Sequence, residues 1–152
     1  MRAILIGLAM FFAALTAMPA AAQDAGELQW LMGKWCSNTA KQGKLCLTYK
    51  AREDGTILST WATEDDGAEQ PEHSEAVMQI VDGRVVLHSE DQGSDFREVS
   101  RGPNELVLET TQSDLPKGSV ERVTHRREGD VLVIDLILAG GETWTSRYLR
   151  ED

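Results

Sequence analysis

From Leu45 onward the chain alternates apolar and polar residues in short runs, each closed by a break containing Gly, Asp or Pro. Leu45-Cys46-Leu47-Thr48-Tyr49 alternates as far as a turn at Asp54-Gly55, and Ile57–Ala62 follows. Ala76–Val81 and Val85–His88 are separated only by Asp82-Gly83. Two apolar runs around Asp-Gly signal a two-residue hairpin, because such a turn needs positive φ. Further runs cover Phe96–Ser100, Leu106–Thr110, Val120–Arg127, Val131–Leu138 and Thr143–Leu149. In the second of these, Leu106 and Leu108 share one face and Glu105 and Glu109 the other, the period-2 pattern of a half-buried strand.

Only the start of the chain reads differently. Asp24 is placed to cap a helical turn over Glu27–Leu31, with Gly33 ending it and a first strand beginning at Trp35-Cys36. No helical period follows. Evenly spaced strands joined by short turns predict an all-β protein, an antiparallel up-and-down β-barrel of about 8–10 strands, closed so that no edge is exposed. A two-sheet sandwich is the alternative.

The first residues add a compartment. Met1-Arg2, an apolar stretch from Ala3 to Met18 and then Ala20-Ala21-Ala22 have the order of a secretory signal peptide, with cleavage expected near Ala22. Residues 1–22 are therefore set apart as a leader, and residues 23–152 as one barrel domain. The stretch is too short to read as a membrane anchor, and no second run of spanning length follows. Export allows a disulfide between the two cysteines, Cys36 and Cys46. If a hairpin turns around Lys41, these two positions face each other across the ladder.

The formal charge is −10, and −11 once the leader takes Arg2 with it. Nucleic acid and anionic lipid are thereby poor partners. The segment from Glu64 to His73 concentrates acidic residues and contains Pro71.

Blocks of the sequence carry two resemblances. Gly33-Lys34-Trp35 resembles the G-x-W signature of the calycin superfamily of lipocalin-like barrels, in which the Trp closes one barrel end under a basic residue of the last strand. The resemblance implies that role for Trp35, with Arg147 or Arg150 above it; a guanidinium over an indole adds ~0.5–1 kcal/mol. More extensively, Leu28–Trp35, Glu109–Pro116 and Arg126–Asp130 resemble an uncharacterised bacterial family of exported lipocalin-like domains. Its members carry W-L-x-G-x-W early and a His-Asp-Phe-Pro element before the last hairpins. This chain has Ser113 and Leu115 where that element has His and Phe, so any role of that His is absent. The resemblance implies a fold and no activity.

Candidate lumen residues are Tyr49, Trp61, Met78, Leu108, His125, Ile134, Leu136 and Trp144, either as ligand wall or as plain core. Eight strands leave room only for side chains, so ten should leave more. His125 would share a face with Val123 and Glu121. Some ten-stranded barrels of similar architecture bind haem through a His near the C-terminus, but no His follows His125 and no C-x-x-C-H occurs, so no cofactor is expected. His73 lies near Glu69 and Glu72 without metal-ligand spacing, and no metal is expected there. Asp135 interrupts an aliphatic run, either as an exterior residue or as a lumen carboxylate. No G-x-S-x-G, H-E-x-x-H or P-loop is present, and in His88-Ser89-Glu90-Asp91 neighbours on a strand would point to opposite faces. Catalysis is not expected. The expected function is the binding of a small apolar or amphipathic molecule in the lumen. The alternative is an acidic protein-binding module, such as an inhibitor of a cationic secreted hydrolase.

Overall fold

The computed structural model describes residues 26–39, 43–64, 73–89 and 94–151. The expected leader, the Asp24 cap and most of the acidic segment (65–72) lie outside the described residues. Ten strands follow a short 3-10 turn at Gln29–Leu31: β1 Gly33–Thr39, β2 Gly43–Ala51, β3 Ile57–Glu64, β4 His73–Val81, β5 Arg84–Ser89, β6 Ser94–Gly102, β7 Glu105–Thr110, β8 Val120–Glu128, β9 Val131–Leu138 and β10 Thr143–Glu151. Each pairs antiparallel with the next, and β1 pairs with β10, which closes an up-and-down barrel. Closure satisfies both edges of the sheet.

The hairpins form where the turn chemistry directs. Asp82 (φ 51°) and Gly83 (φ 74°) both lie in the left-handed region, the conformation of the two-residue turn that matches strand twist. Val81 and Arg84 pair across it. In the first hairpin Cys36 stands opposite Cys46, their Cα atoms 4.1 Å apart, and the two are joined as a disulfide. Gly33 departs from expectation. The helical turn ends at Met32, whose N–H bonds the Gln29 carbonyl, and Gly33 opens β1.

Register fixes which side chains point inward. The row Trp35, Leu47, Trp61, Ser74 runs across β1 to β4, and Tyr49, Ser59, Ala76, Ser89 runs across β2 to β5. On the other wall Leu108, Val123, Leu136 and Trp144 form one row, and Leu106, His125, Ile134 and Ser146 the next. Two bulges change the parity. One, between Glu98 and Ser100, leaves Val99 exposed and puts both Glu98 and Arg101 opposite inward leucines of β7. The other, between Val120 and Arg122, lets Val120 join the interior while Glu121 stays exposed, so Glu121 does not share the face of His125.

Candidate functional site: a lumen filled at one end

The barrel end where β1 begins is sealed from below. Leu28 and Leu31 are fully buried and Trp30 nearly so, all within one core cluster with Trp35, Tyr49, Met78, Leu106, Leu132 and Tyr148. Trp35 Nε1 donates to the Leu31 carbonyl at 2.9 Å, which ties the N-terminal turn to the strand above it. The guanidinium of Arg150 lies 5.4 Å from the Trp35 ring centroid and that of Arg127 5.9 Å. Arg150 also explains Gly33. The backbone there has φ +118°, and a Cβ would stand 3.4 Å from Arg150 Nη2. Arg147, the other expected cover for Trp35, faces outward instead and donates to Glu128 at 2.6 Å. Residues 147 and 150 differ in parity, and only the even positions of β10 look inward.

A second closure at this end was not legible in the sequence. Glu98 accepts from the Val85 N–H at 2.8 Å and lies 3.6 Å from Arg101. Arg101 in turn reaches Glu27 at 3.2 Å and donates to the Gly83 carbonyl at 3.1 Å. The cluster joins the N-terminal turn to the β4–β5 hairpin.

Above the seal the lumen is bridged by His125 and Tyr49. They come from β8 and β2, on opposite walls, and meet edge-on with centroids 5.9 Å apart. His125 is 4% exposed, and its Nδ1 has no hydrogen-bond partner. Burial therefore pushes its pKa down to about 4, so the ring is neutral at physiological pH. Burial likewise raises the Tyr49 phenol, while a hydrogen bond with Ser59 opposes the rise.

Above this bridge lies a cavity of about 210 Å³, lined by Ser59, Trp61, Ser74, Ala76, Leu87, Ser89, Phe96, Val120, Val123 and Leu136. Its walls are β3 to β6 on one side and β8 to β9 on the other. Apart from Ser59, which pairs with Tyr49 in the ladder, every lining residue lies in the half of its strand away from the N-terminal turn. A second concavity, of about 310 Å³, is a polar groove on the outside of the same end, formed by Glu109, Thr110, Gln112, Ser113, Leu115, Glu121, Ala139 and Gly140.

The lumen candidates thus separate into three groups. Trp61 and Leu136 line the cavity. Tyr49, Met78, Leu108, His125 and Ile134 are buried without lining the cavity: Leu108 lies beside the cavity-lining Val123, and the other four fill space in the packed half. Trp144 has inward parity beside Leu136 but is 55% exposed, its indole N–H bonded to Glu142 at 2.7 Å. It is not among the residues that line the cavity, although it pairs with Leu136, which is. The serines and Ala76 were missed by a search for bulky apolar residues; their signal was small size at inward parity. Asp135 is exterior. It accepts from the Thr145 hydroxyl at 2.6 Å and lies 3.6 Å from Arg126. His88 is exposed and pairs with Asp95. Nothing is described of the His73 side chain. Among the described residues the only set of Cys, His and acidic groups close enough to hold a metal ion is Cys36, Cys46 and Glu151, and its two sulfurs are bonded to each other. No described helix is long and apolar enough to cross a membrane.

The structure is thus a closed antiparallel ten-stranded barrel, packed with side chains next to the N-terminal turn and leaving a cavity toward the other end. Neither a scan against protein-family models nor a search of curated proteins matches the chain.

Proposed function

We propose that the protein is an exported, lipocalin-like barrel that holds a small apolar or amphipathic molecule in the cavity above the Tyr49–His125 bridge. The cavity itself carries the reading. Ten strands enclose more room than side chains alone fill, and the surplus has been filled at one end only. A cavity of ~150 Å³ admits benzene, so one of about 210 Å³ suits a substituted ring or a short acyl chain. Burying ~200 Å² of apolar surface at ~25 cal/mol per Å² gains about 5 kcal/mol, and a few hydrogen bonds bring the expected Kd to about the micromolar to submillimolar range. Export to the periplasm or beyond is supported by the leader-like residues 1–22 and by the disulfide. The family of exported lipocalin-like domains remains the resemblance that best accounts for Trp30–Trp35. No residue set favours catalysis in this reading. The rival reading, a partner for cationic proteins, rests on the net charge and on the acidic composition of Glu64 to His73, most of which lies outside the described residues.

Native mass spectrometry of protein purified from its own envelope tests the proposal. A stoichiometric small-molecule adduct is expected, lost in an Ala76→Leu variant whose added volume fills the cavity. An adduct that persists undiminished in the variant, or a wild-type protein that neither carries nor takes up any apolar probe, refutes it.

A further inference from the structure

The composition of the cavity wall narrows the ligand class; this inference rests on the binding reading above. Ser59, Ala76 and Ser89 stand side by side on β3, β4 and β5, and Ser74 sits two residues from Ala76 on the same inward face. Three hydroxyls therefore surround one small residue on a single wall. The facing and flanking surface is apolar: Leu87, Phe96, Val120, Val123 and Leu136. Among the described residues no charged side chain lines this space. The inward arginines lie at the sealed end and are engaged there, Arg101 with Glu27 and Glu98, and Arg127 and Arg150 over Trp35.

We infer that the cavity selects uncharged amphiphiles bearing a hydroxyl or carbonyl group, with the polar atom at the serine wall and the apolar body against Phe96 and Leu136. A hydroxyl side chain has one donor and two acceptor sites, so a serine already bonded to a protein group, as Ser59 is to Tyr49, keeps capacity for a ligand. A carboxylate placed there would lose its hydration with no cation to replace it, and the net charge of −10 opposes its approach. An ammonium head would find no described carboxylate in the cavity. The wall is thus built against both charges by omission, and against purely apolar ligands because these offer Ser59 and Ser89 no further hydrogen bond.

The test uses one ring with four substituents: 2-naphthol, 2-methylnaphthalene, 2-naphthoate and 2-naphthylmethylammonium, titrated calorimetrically at neutral pH into the full mature chain. Naphthol is expected to bind at least about tenfold tighter than either ion and about three- to tenfold tighter than the methyl compound, the worth of one or two net hydrogen bonds. Ser59→Ala and Ser89→Ala should each erase the advantage over the methyl compound and leave binding of the methyl compound unchanged, with circular dichroism confirming the fold. Equal or tighter binding of either ion, or of 2-methylnaphthalene, overturns the selectivity. Binding of no member, or binding that Ala76→Leu does not weaken, overturns the ligand reading itself.

Discussion

The buried imidazole of His125 makes the stability of this barrel depend on pH in a calculable way. In the fold His125 is 4% exposed, its Nδ1 is unpartnered, and its pKa falls from 6.5 to about 4 because the charged ring would lose its hydration. In the unfolded chain the ring is in water. A folded pKa below the unfolded one means that the unfolded chain takes up the proton first. The stabilisation tied to the neutral ring is therefore complete above pH 6.5, is lost as pH falls from 6.5 toward 4, and levels off below that. Each pH unit in this interval is worth about 1.4 kcal/mol, so the total is ~3 kcal/mol, of which ~2 kcal/mol is gone at pH 5.

The assay is urea unfolding followed by tryptophan fluorescence at several pH values from 7.5 to 4.5, for the wild type and for His125→Phe. Phenylalanine keeps a ring edge-on to Tyr49 and does not titrate. The wild type should lose ~2 kcal/mol relative to the variant between pH 7.5 and 5. Carboxylates also contribute acid sensitivity. Arg147 and Arg126 hold Glu128 below its ordinary range, and Lys44 and Lys34 do the same for Glu151. Stabilisation from these groups is present above the ordinary carboxylate pKa and lost at lower pH, and it is common to both proteins. It cancels in the difference. Stability curves that run parallel from pH 7.5 to 4.5 would refute the reasoning, because a buried, unpaired imidazole cannot be indifferent to its own protonation.

The other predictions concern how the barrel is held shut. Reducing Cys36–Cys46, or replacing both with Ala, should cost roughly 2–3 kcal/mol on the chain-entropy model, seen as a lower Tm by calorimetry under reducing and oxidising conditions. Trp35→Ala should cost ~3–5 kcal/mol in urea, as a fully buried indole with a hydrogen bond to Leu31, whereas Arg150→Met should cost only about 0.5–1 kcal/mol. Arg101→Met alone leaves the part-buried Glu98 without its ion pair and should cost ~1–3 kcal/mol; adding Glu98→Gln should restore part of that loss, and a double mutant less stable than the single would contradict the pairing. Asp135→Asn, on the exterior, should change stability by less than about 1 kcal/mol.

The strands and most turns were legible because period-2 alternation and Asp-Gly chemistry act locally. The disulfide was legible for the same reason, since hairpin symmetry about Lys41 alone places Cys36 opposite Cys46. Facing was not legible where both sides of a strand are apolar. In β9, Val133 is fully buried yet faces outward, between Arg126 and Arg147 in the ladder, whose guanidiniums converge on Glu128. Their aliphatic stems cover what parity alone would have exposed. The bulges hid the rest. An extra residue at Val99 reverses the alternation beyond it, so Glu98 and Arg101 both turn inward although they are three positions apart. No composition signal marks that residue, because the bulge is a property of the pair β6 and β7 and not of either strand alone.

Placement of the cavity follows from one further consequence of ten strands. A barrel this wide must be filled from somewhere, and among the described residues a single segment outside the strands turns large apolar side chains into the core, Leu28 to Leu31. That segment enters at the end where β1 begins, is anchored there by Trp35 and by the Glu27–Arg101 pair, and at three to four residues of 3-10 turn is too short to reach the other half. The far half is left with Ser74, Ala76 and Ser89, above Ser59, where bulkier residues would have packed it. Small polar residues at inward positions lower stability relative to apolar ones. In the binding proposal, their presence on three consecutive strands beyond the reach of the N-terminal turn is what makes that region the ligand site. Trp35 and the residues around it then belong to that proposal only indirectly, by keeping the opposite end closed.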